Sequence, residues 1–124
     1  MRRDTQRREA IRSTILEAER PLTISEIFEL TRQKIEGIGI ATVYRSLKTL
    51  QEDGVIVPVN FSGQPVRWEG ADKCHHHHFL CLSCNKLYEI PSCPEGLARI
   101  LPEGFDLEDH DLLLRGRCNA CAGK

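Results

Sequence analysis

The sequence predicts an α+β protein of two small domains, an N-terminal winged helix-turn-helix and a small C-terminal α/β domain. Three observations lead to this fold class. Three successive segments have helical spacing of apolar residues, a strand-turn-strand pattern follows them, and the composition changes abruptly after Gly70. All 6 cysteines and 5 histidines of the 124 residues lie beyond that glycine. We therefore expect a first domain over residues 1–70, a hinge at 71–74 and a second domain over 75–124.

Two helices open the predicted N-terminal domain. Apolar residues at helical spacing place the first over residues 5–19, before Pro21 interrupts the pattern. The second follows a capping box, Thr23-x-x-Glu26, and reaches about Lys34.

The third predicted helix begins at Ile40 and ends at Asp53-Gly54, with the glycine as its C-cap. Helical spacing turns one set of residues inward, Ile40, Val43, Leu47 and Leu50, and a second set outward, Ala41, Tyr44, Arg45 and Lys48.

Two β-rich runs, 55–61 and 66–69, follow as a hairpin, which completes the order of a winged helix-turn-helix. The exposed face of the third helix suits contacts with phosphates and bases, although three-helix units also pack for structural reasons alone. A basic run near the N-terminus is either a DNA-binding arm or a solvated helix face. The candidate DNA-binding residues are Tyr44, Arg45, Lys48, Thr42, Arg7 and Arg8.

The C-terminal domain is predicted to contain strands near 78–82 and 86–90, a short helix opened by Pro94, and a long alternating strand over 105–115. No apolar run approaches the roughly 18 residues of a membrane span, and no apolar signal segment follows the basic N-terminus. The net charge of −1 favours no class of partner. We therefore expect a cytoplasmic protein whose cysteines bind metal rather than form disulfides.

The strongest chemical pattern is a pair of Cys-x-x-Cys motifs. Two thiolates three residues apart can hold one Zn(II), and two such pairs complete a closed tetrahedral site. A dithiol redox motif is the alternative, but it needs only one pair. The expected structural zinc ligands are Cys81, Cys84, Cys118 and Cys121.

Four consecutive histidines, residues 75–78, begin the predicted second domain, directly after the hinge. Successive side chains of an extended segment point to opposite faces, so the run can supply two metal sites. His76 and His78 would work with Glu69. The second site would combine His75, His77 and His110 with either Cys93 or Glu95.

Cys74 and Cys93 remain once the four zinc thiols are assigned. A thiolate beside imidazoles favours zinc over iron or manganese. Buried, inert cysteine is the alternative interpretation of both residues.

Three segments resemble the ferric uptake regulator superfamily of bacterial metalloregulators, and the resemblance covers almost the whole chain. They are Gln6-Arg7 leading into residues 11–16, the segment 41–47 (Ala-Thr-Val-Tyr-Arg-Ser-Leu), and the segment 75–84 (His-His-His-His-Phe-Leu-Cys-Leu-Ser-Cys). The resemblance implies a homodimeric repressor of double-stranded DNA operators, whose third helix enters the major groove. Tyr44 and Arg45 match the family's DNA-contacting pair.

The same resemblance implies a structural zinc on the four paired cysteines. Glu69, His76 and His78 match the family's inter-domain sensing site, and His75, His77 and His110 match its second site. Many members add a histidine from between the first and second helices, and residues 20–25 offer none here. Cys74 is a candidate substitute, which would point to the zinc uptake regulators of the family.

We therefore predict a transcriptional repressor and not an enzyme, with a structural zinc and a second, regulatory divalent metal. Zinc is the favoured regulatory metal, with iron, manganese and peroxide sensing by bound iron as alternatives. A zinc hydrolase and a metal-storage protein are the competing classes, but the pattern His-Glu-x-x-His is absent. No membrane and no small organic substrate is expected.

Overall fold

The chain folds into two compact units, residues 1–73 and 74–124, in a computed structural model. The structure describes residues 2–73 and 75–123, so the predicted ligand Cys74 lies outside the described residues. No helix in this described part is long and apolar enough to cross a membrane.

Three helices and a small antiparallel sheet form the N-terminal unit. The sheet has the strand order β1-β3-β2. The elements in chain order are α1 (Arg2–Glu17), β1 (Leu22–Thr23), α2 (Ile24–Arg32), α3 (Ile40–Glu52), β2 (Ile56–Val59) and β3 (Arg67–Gly70). Their apolar faces meet in one core built from Ile11, Ile15, Leu22, Ile27, Ile38, Val43, Leu47, Leu50 and Ile56.

The helix α2 begins with the predicted capping box. The Thr23 side chain accepts a 3.2 Å hydrogen bond from the Glu26 backbone N–H, and Glu26 Oε1 accepts one of 2.9 Å from the Thr23 backbone N–H. These bonds satisfy two backbone donors that a helix N-terminus otherwise leaves without partners. The helix ends at Arg32, slightly before the predicted Lys34, because the Lys34 N–H bonds back to the Thr31 carbonyl as a tighter turn.

Replacing Thr23 with alanine should lower the free energy of unfolding by about 1 kcal/mol, the usual effect of losing a helix N-cap. Urea unfolding followed by the helical circular dichroism signal measures the change. Ser25→Ala, an exposed position in the same turn, is the matched control. Equal stability of the two variants would show that the capping box does not stabilise α2.

The helix α3 carries the two faces that its sequence predicts, with one exception. Val43, Leu47 and Leu50 are buried. Ile40, which was expected to point inward, is 44% exposed because it occupies the first turn, beyond the edge of the core. At the other end Gly54 has φ 75°, and the Val55 N–H bonds to the Leu50 carbonyl, so a left-handed glycine closes the helix.

The strand β1 is an element that the sequence did not predict. Its two residues pair with β3, Leu22 opposite Trp68 and Thr23 opposite Arg67. A strand of two residues is too short to show the alternation of apolar and polar residues that predicts a strand, so it can be recognised only from its pairing in the structure. The wing hairpin of β2 and β3 is thereby joined to the start of α2.

The C-terminal unit is a three-stranded sheet with the order β5-β4-β6. Its strands are β4 (His77–Cys81), β5 (Leu87–Ile90) and β6 (Leu113–Gly116). β4 pairs antiparallel with β5 and parallel with β6, with His78 opposite Leu113 and Cys81 opposite Gly116.

Two predictions for the C-terminal unit were wrong. The helix expected from Pro94 is a 3-10 turn at Leu97–Ile100 that begins after Gly96. The long strand expected over 105–115 shortens to β6, because β4 has only 5 residues and offers no partners to a longer strand. His110 therefore lies outside any strand.

Candidate metal centres and nucleic-acid interface

Four thiols meet at one end of the C-terminal sheet. Their Sγ atoms all lie within 4.8 Å of one another, and Cys84 Sγ is 3.9 Å from Cys118 Sγ. A tetrahedral zinc with Zn–S bonds of about 2.3 Å requires sulfur separations of about 3.8 Å. The thiol cluster, defined by Cys81, Cys84, Cys118 and Cys121, therefore lies close to the spacing that a zinc ion needs.

Backbone amides prepare one of these thiols for a cation. The N–H groups of Cys84 and Cys118 each lie 3.4 Å from Cys81 Sγ. They lower the pKa of Cys81 to about 6, since they stabilise the thiolate. A hydrogen bond from Tyr88 lowers the pKa of Cys118, whereas hydrogen bonds to the Cys118 and Cys81 sulfurs raise the pKa of Cys121 to about 12. The cluster thus holds at least one proton that a metal ion would displace.

A second cluster lies at the start of β4. His75 Nε2 is 3.2 Å from Nε2 of both His77 and His110, and these two Nε2 atoms are also 3.2 Å apart. Cys93 Sγ lies 3.0 Å from His110 Nε2 and 3.4 Å from His77 Nε2. The structure thus brings Cys93 to the three imidazoles, whereas Glu95 is exposed in the next turn and is not among them.

One imidazole of this imidazole–thiol cluster (His75, His77, Cys93 and His110), that of His77, favours its neutral form. Burial, followed by the nearby His75 and His110, lowers the pKa of His77. A neutral imidazole is the form that binds a metal ion. The His77 ring stands with Nδ1 3.3 Å from the Leu112 backbone nitrogen and with Nε2 among the other donors of the cluster.

The other two histidines of the run lie on the opposite side of β4. The rings of His76 and His78 have centroids 4.8 Å apart. His76 Nε2 is 3.9 Å from Glu89 Oε1, and Glu89 lies opposite His78 in the β4–β5 pairing. Within the C-terminal unit, two imidazoles and one carboxylate thus share a face.

Sequence reasoning missed Glu89. The signal was available, because a hairpin that turns at Cys81-x-x-Cys84 pairs the residues before the first cysteine with those after Lys86. An acidic residue directly opposite a histidine is then a candidate ligand. The predicted carboxylate Glu69 lies on β3 of the N-terminal unit, opposite Val57 and 3.8 Å from Lys73 Nζ.

The predicted DNA-binding residues lie on the exposed side of α3 and on α1. Tyr44 is 59% exposed, and together with Lys48 it lines a cavity of about 560 Å³ whose far wall is the wing residues Pro65, Val66 and Trp68. Thr42 and Arg45, joined by a 3.0 Å hydrogen bond, line a smaller cavity of about 180 Å³ on the other side.

The smaller cavity also contains Arg8 from α1, beside Asp4. Arg7 is half-buried on the same helix and does not line this cavity. The structure therefore brings Arg8 and Arg45 to one cavity, and both are side chains of the kind that contacts phosphate groups.

Comparison with known proteins relates nearly the whole chain to one family. The ferric uptake regulator family model matches residues 2–115. The ferric uptake regulation protein of Bacillus subtilis is 36% identical over 128 residues, which cover 97% of this chain and 85% of that protein. The solved Helicobacter pylori ferric uptake regulator, described as having three functional metal binding sites, is 31% identical with a TM-score of 0.70, covering 94% of this chain and 79% of the other. A zinc-bound manganese uptake regulator is 30% identical with a TM-score of 0.81, covering 90% and 87%.

The matching family model and the similarity to these regulators define the class as metalloregulators. Within that class, the chain belongs to the ferric uptake regulator family.

Proposed function

We propose that this chain is a dimeric, metal-responsive repressor that binds palindromic DNA operators when its regulatory site is loaded, with zinc as the preferred metal. One observation carries the proposal. The exposed face of α3 presents Tyr44, Arg45 and Lys48 between two cavities, one bounded by the wing and one by Arg8 of α1. That surface can place side chains on bases while cations on either side contact phosphates.

The regulatory site of this proposal combines His76 and His78 with Glu69, and with Glu89 as a further carboxylate. The pairing of His76, His78 and Glu89 on one face of the C-terminal sheet supports it. Glu69 lies on the wing strand β3, so a metal ion shared with it would restrain the wing. A metal favours DNA binding by this route only if it binds the DNA-competent arrangement more tightly than the open one.

The thiol cluster is proposed to hold a structural zinc, and the C-terminal unit to form the homodimer. Among the described residues of that unit, several large apolar side chains are more than half exposed, as expected of a surface that a partner covers. They are Leu82, Ile100, Phe105 and Leu114, at 59, 79, 65 and 51%. A second copy of the chain then presents two α3 helices to half-sites about one helical turn apart.

The function is tested by DNA binding under buffered metal. A palindromic duplex is first enriched from a random library by the metal-loaded protein. Its fluorescence anisotropy is then measured with the chain at increasing free zinc, iron(II) and manganese(II). We expect binding to rise with zinc at the lowest free concentration. Binding that is independent of every metal would contradict a metal-responsive repressor, and a response to manganese or iron alone would contradict zinc as the preferred metal.

Replacing Arg45 with alanine should weaken binding to this duplex by about 1 to 3 kcal/mol if the guanidinium contacts a guanine edge. Arg32→Ala removes the same charge from the exposed end of α2 and is the matched control. We expect the control to bind within twofold of the unmodified chain, a limit of roughly 0.4 kcal/mol. Equal losses in the two variants would mean that Arg45 contributes only general charge.

A further inference from the structure

The imidazole–thiol cluster has a donor set unlike the face formed by His76, His78 and Glu89. Three imidazole nitrogens and one thiol sulfur lie within 4.8 Å of one another, and no carboxylate belongs to this group among the described residues. A thiolate sulfur favours zinc, whereas imidazoles also suit iron and carboxylate oxygens suit manganese. Cys93 therefore gives this cluster a soft donor that the face formed by His76, His78 and Glu89 lacks.

The separations in the imidazole–thiol cluster match four donors around one zinc ion. Zn–N bonds of about 2.0 to 2.1 Å and a Zn–S bond of about 2.3 Å in a tetrahedron require N–N and N–S separations of about 3.3 and 3.6 Å. The three N–N separations are 3.2 Å, and Cys93 Sγ lies 3.0 Å from His110 Nε2 and 3.4 Å from His77 Nε2. The donors thus already stand close to the distances that zinc needs.

Two of these donors lie at the ends of a segment with little regular structure. The segment is residues 94–109, with Cys93 before it and His110 after it, and its one described helical element is the 3-10 turn at Leu97–Ile100. Long segments of this kind are usually functional or held by added contacts. A metal bound by His75 and His77 on one side and by Cys93 and His110 on the other would join both ends of this segment to β4.

We propose that Cys93 is the fourth ligand of this cluster and the residue that makes it select zinc over manganese and iron. The inference rests on the proposed function only in assuming that the second cluster binds a metal. Its sulfur supplies a soft donor, where Glu95 would supply a hard oxygen, and completes a closed set of four ligands. A closed set suits a resident ion that holds the segment in place, whereas the His76–His78 face serves regulation.

Cobalt(II) reports directly on this ligand, because a thiolate bound to cobalt gives a charge-transfer band in the near ultraviolet. The probe is cobalt(II) alone, titrated into full-length protein whose thiol cluster already contains zinc. The unmodified chain should develop the thiolate band together with the visible bands of tetrahedral cobalt. Cys93→Ser should lose the ultraviolet band, and Glu95→Gln, an exposed acid two residues away, should keep it.

Competition between zinc and manganese then tests selectivity. Cys93→Asp should lower the ratio of zinc affinity to manganese affinity by at least about tenfold. Losing a residue that only hydrogen-bonds to a metal ligand already lowers metal affinity by about 10- to 100-fold, and losing a ligand should have at least the smaller of these effects. An unchanged ratio, or cobalt binding whose thiolate band survives in Cys93→Ser, would overturn the proposal. Zinc content and circular dichroism establish that each variant is folded. This measurement does not depend on DNA binding. Its result would therefore still test the role of Cys93 if the chain proved not to be a repressor.

Discussion

Replacing Cys118 with serine should unfold the C-terminal unit, and not merely alter its response to metal. Cys118 is buried, and its backbone N–H also supports the thiolate of Cys81. Structural zinc in small domains contributes an apparent binding free energy of about 10 to 16 kcal/mol, which is as large as the whole stability of a typical domain. A unit with so few buried apolar residues has little else to replace it.

Three measurements check this expectation: zinc content by elemental analysis, the sedimentation coefficient, and secondary structure by circular dichroism in the far ultraviolet. Ser83→Ala, exposed between the first two cysteines, is the matched control and should retain the zinc content of the unmodified chain. A folded Cys118→Ser variant with a normal sedimentation coefficient would show that the thiol cluster does not hold the unit together.

Replacing His78 with alanine should abolish the metal dependence of DNA binding while leaving the structural zinc in place. His78 shares its face of β4 with His76 and Glu89, away from the thiol cluster at the end of the strand. Mutation of a residue that hydrogen-bonds to a metal ligand lowers metal affinity by about 10- to 100-fold. Removing a ligand itself should lower the affinity by at least as much. The regulatory site should therefore stay empty at zinc concentrations that saturate the unmodified chain.

The check is the anisotropy titration with zinc, run beside sedimentation of the same variant. Lys86→Ala, exposed on the same hairpin, is the control and should respond to zinc as the unmodified chain does. If His78→Ala binds the duplex with the normal zinc dependence, His78 does not belong to the sensor. A change in sedimentation would instead assign His78 to assembly.

The parts of the fold that the sequence predicts are those with a local signal. The capping box at Thr23, the apolar face of α3 and the glycine after it each follow from residues within a few positions of one another. β1 and the start of β6 have no such signal, since the partner strand decides which residues are paired. The alternation over 105–115 was genuine as a pattern but had no partner of equal length.

The candidate metal residues divide in the same way. The Cys-x-x-Cys spacing predicts the thiol cluster from the sequence alone, and alternation along an extended segment predicts the separation of the four histidines. The choice of Cys93 over Glu95 depends on how the segment after β5 turns, which no spacing encodes. Glu89 enters through cross-strand register, a relation between distant residues.

The parallel pairing of β4 with β6 has a consequence for the order in which the C-terminal unit assembles. Antiparallel β4 and β5 are joined by a short turn that also brings Cys81 and Cys84 together, so this hairpin can form early and capture a zinc ion with two thiolates. β6 must close a much longer loop before His78 meets Leu113, and loop closure has to occur before any of its hydrogen bonds form. A zinc ion bound only by the two thiolates of the hairpin would keep two coordination positions open for Cys118 and Cys121. The C-terminal segment could then bind this ion before β6 pairs with β4. If the thiol cluster holds the proposed zinc, the ion would act during folding as a nucleus, and we expect the rate of folding, as well as the final stability, to depend on the metal supply.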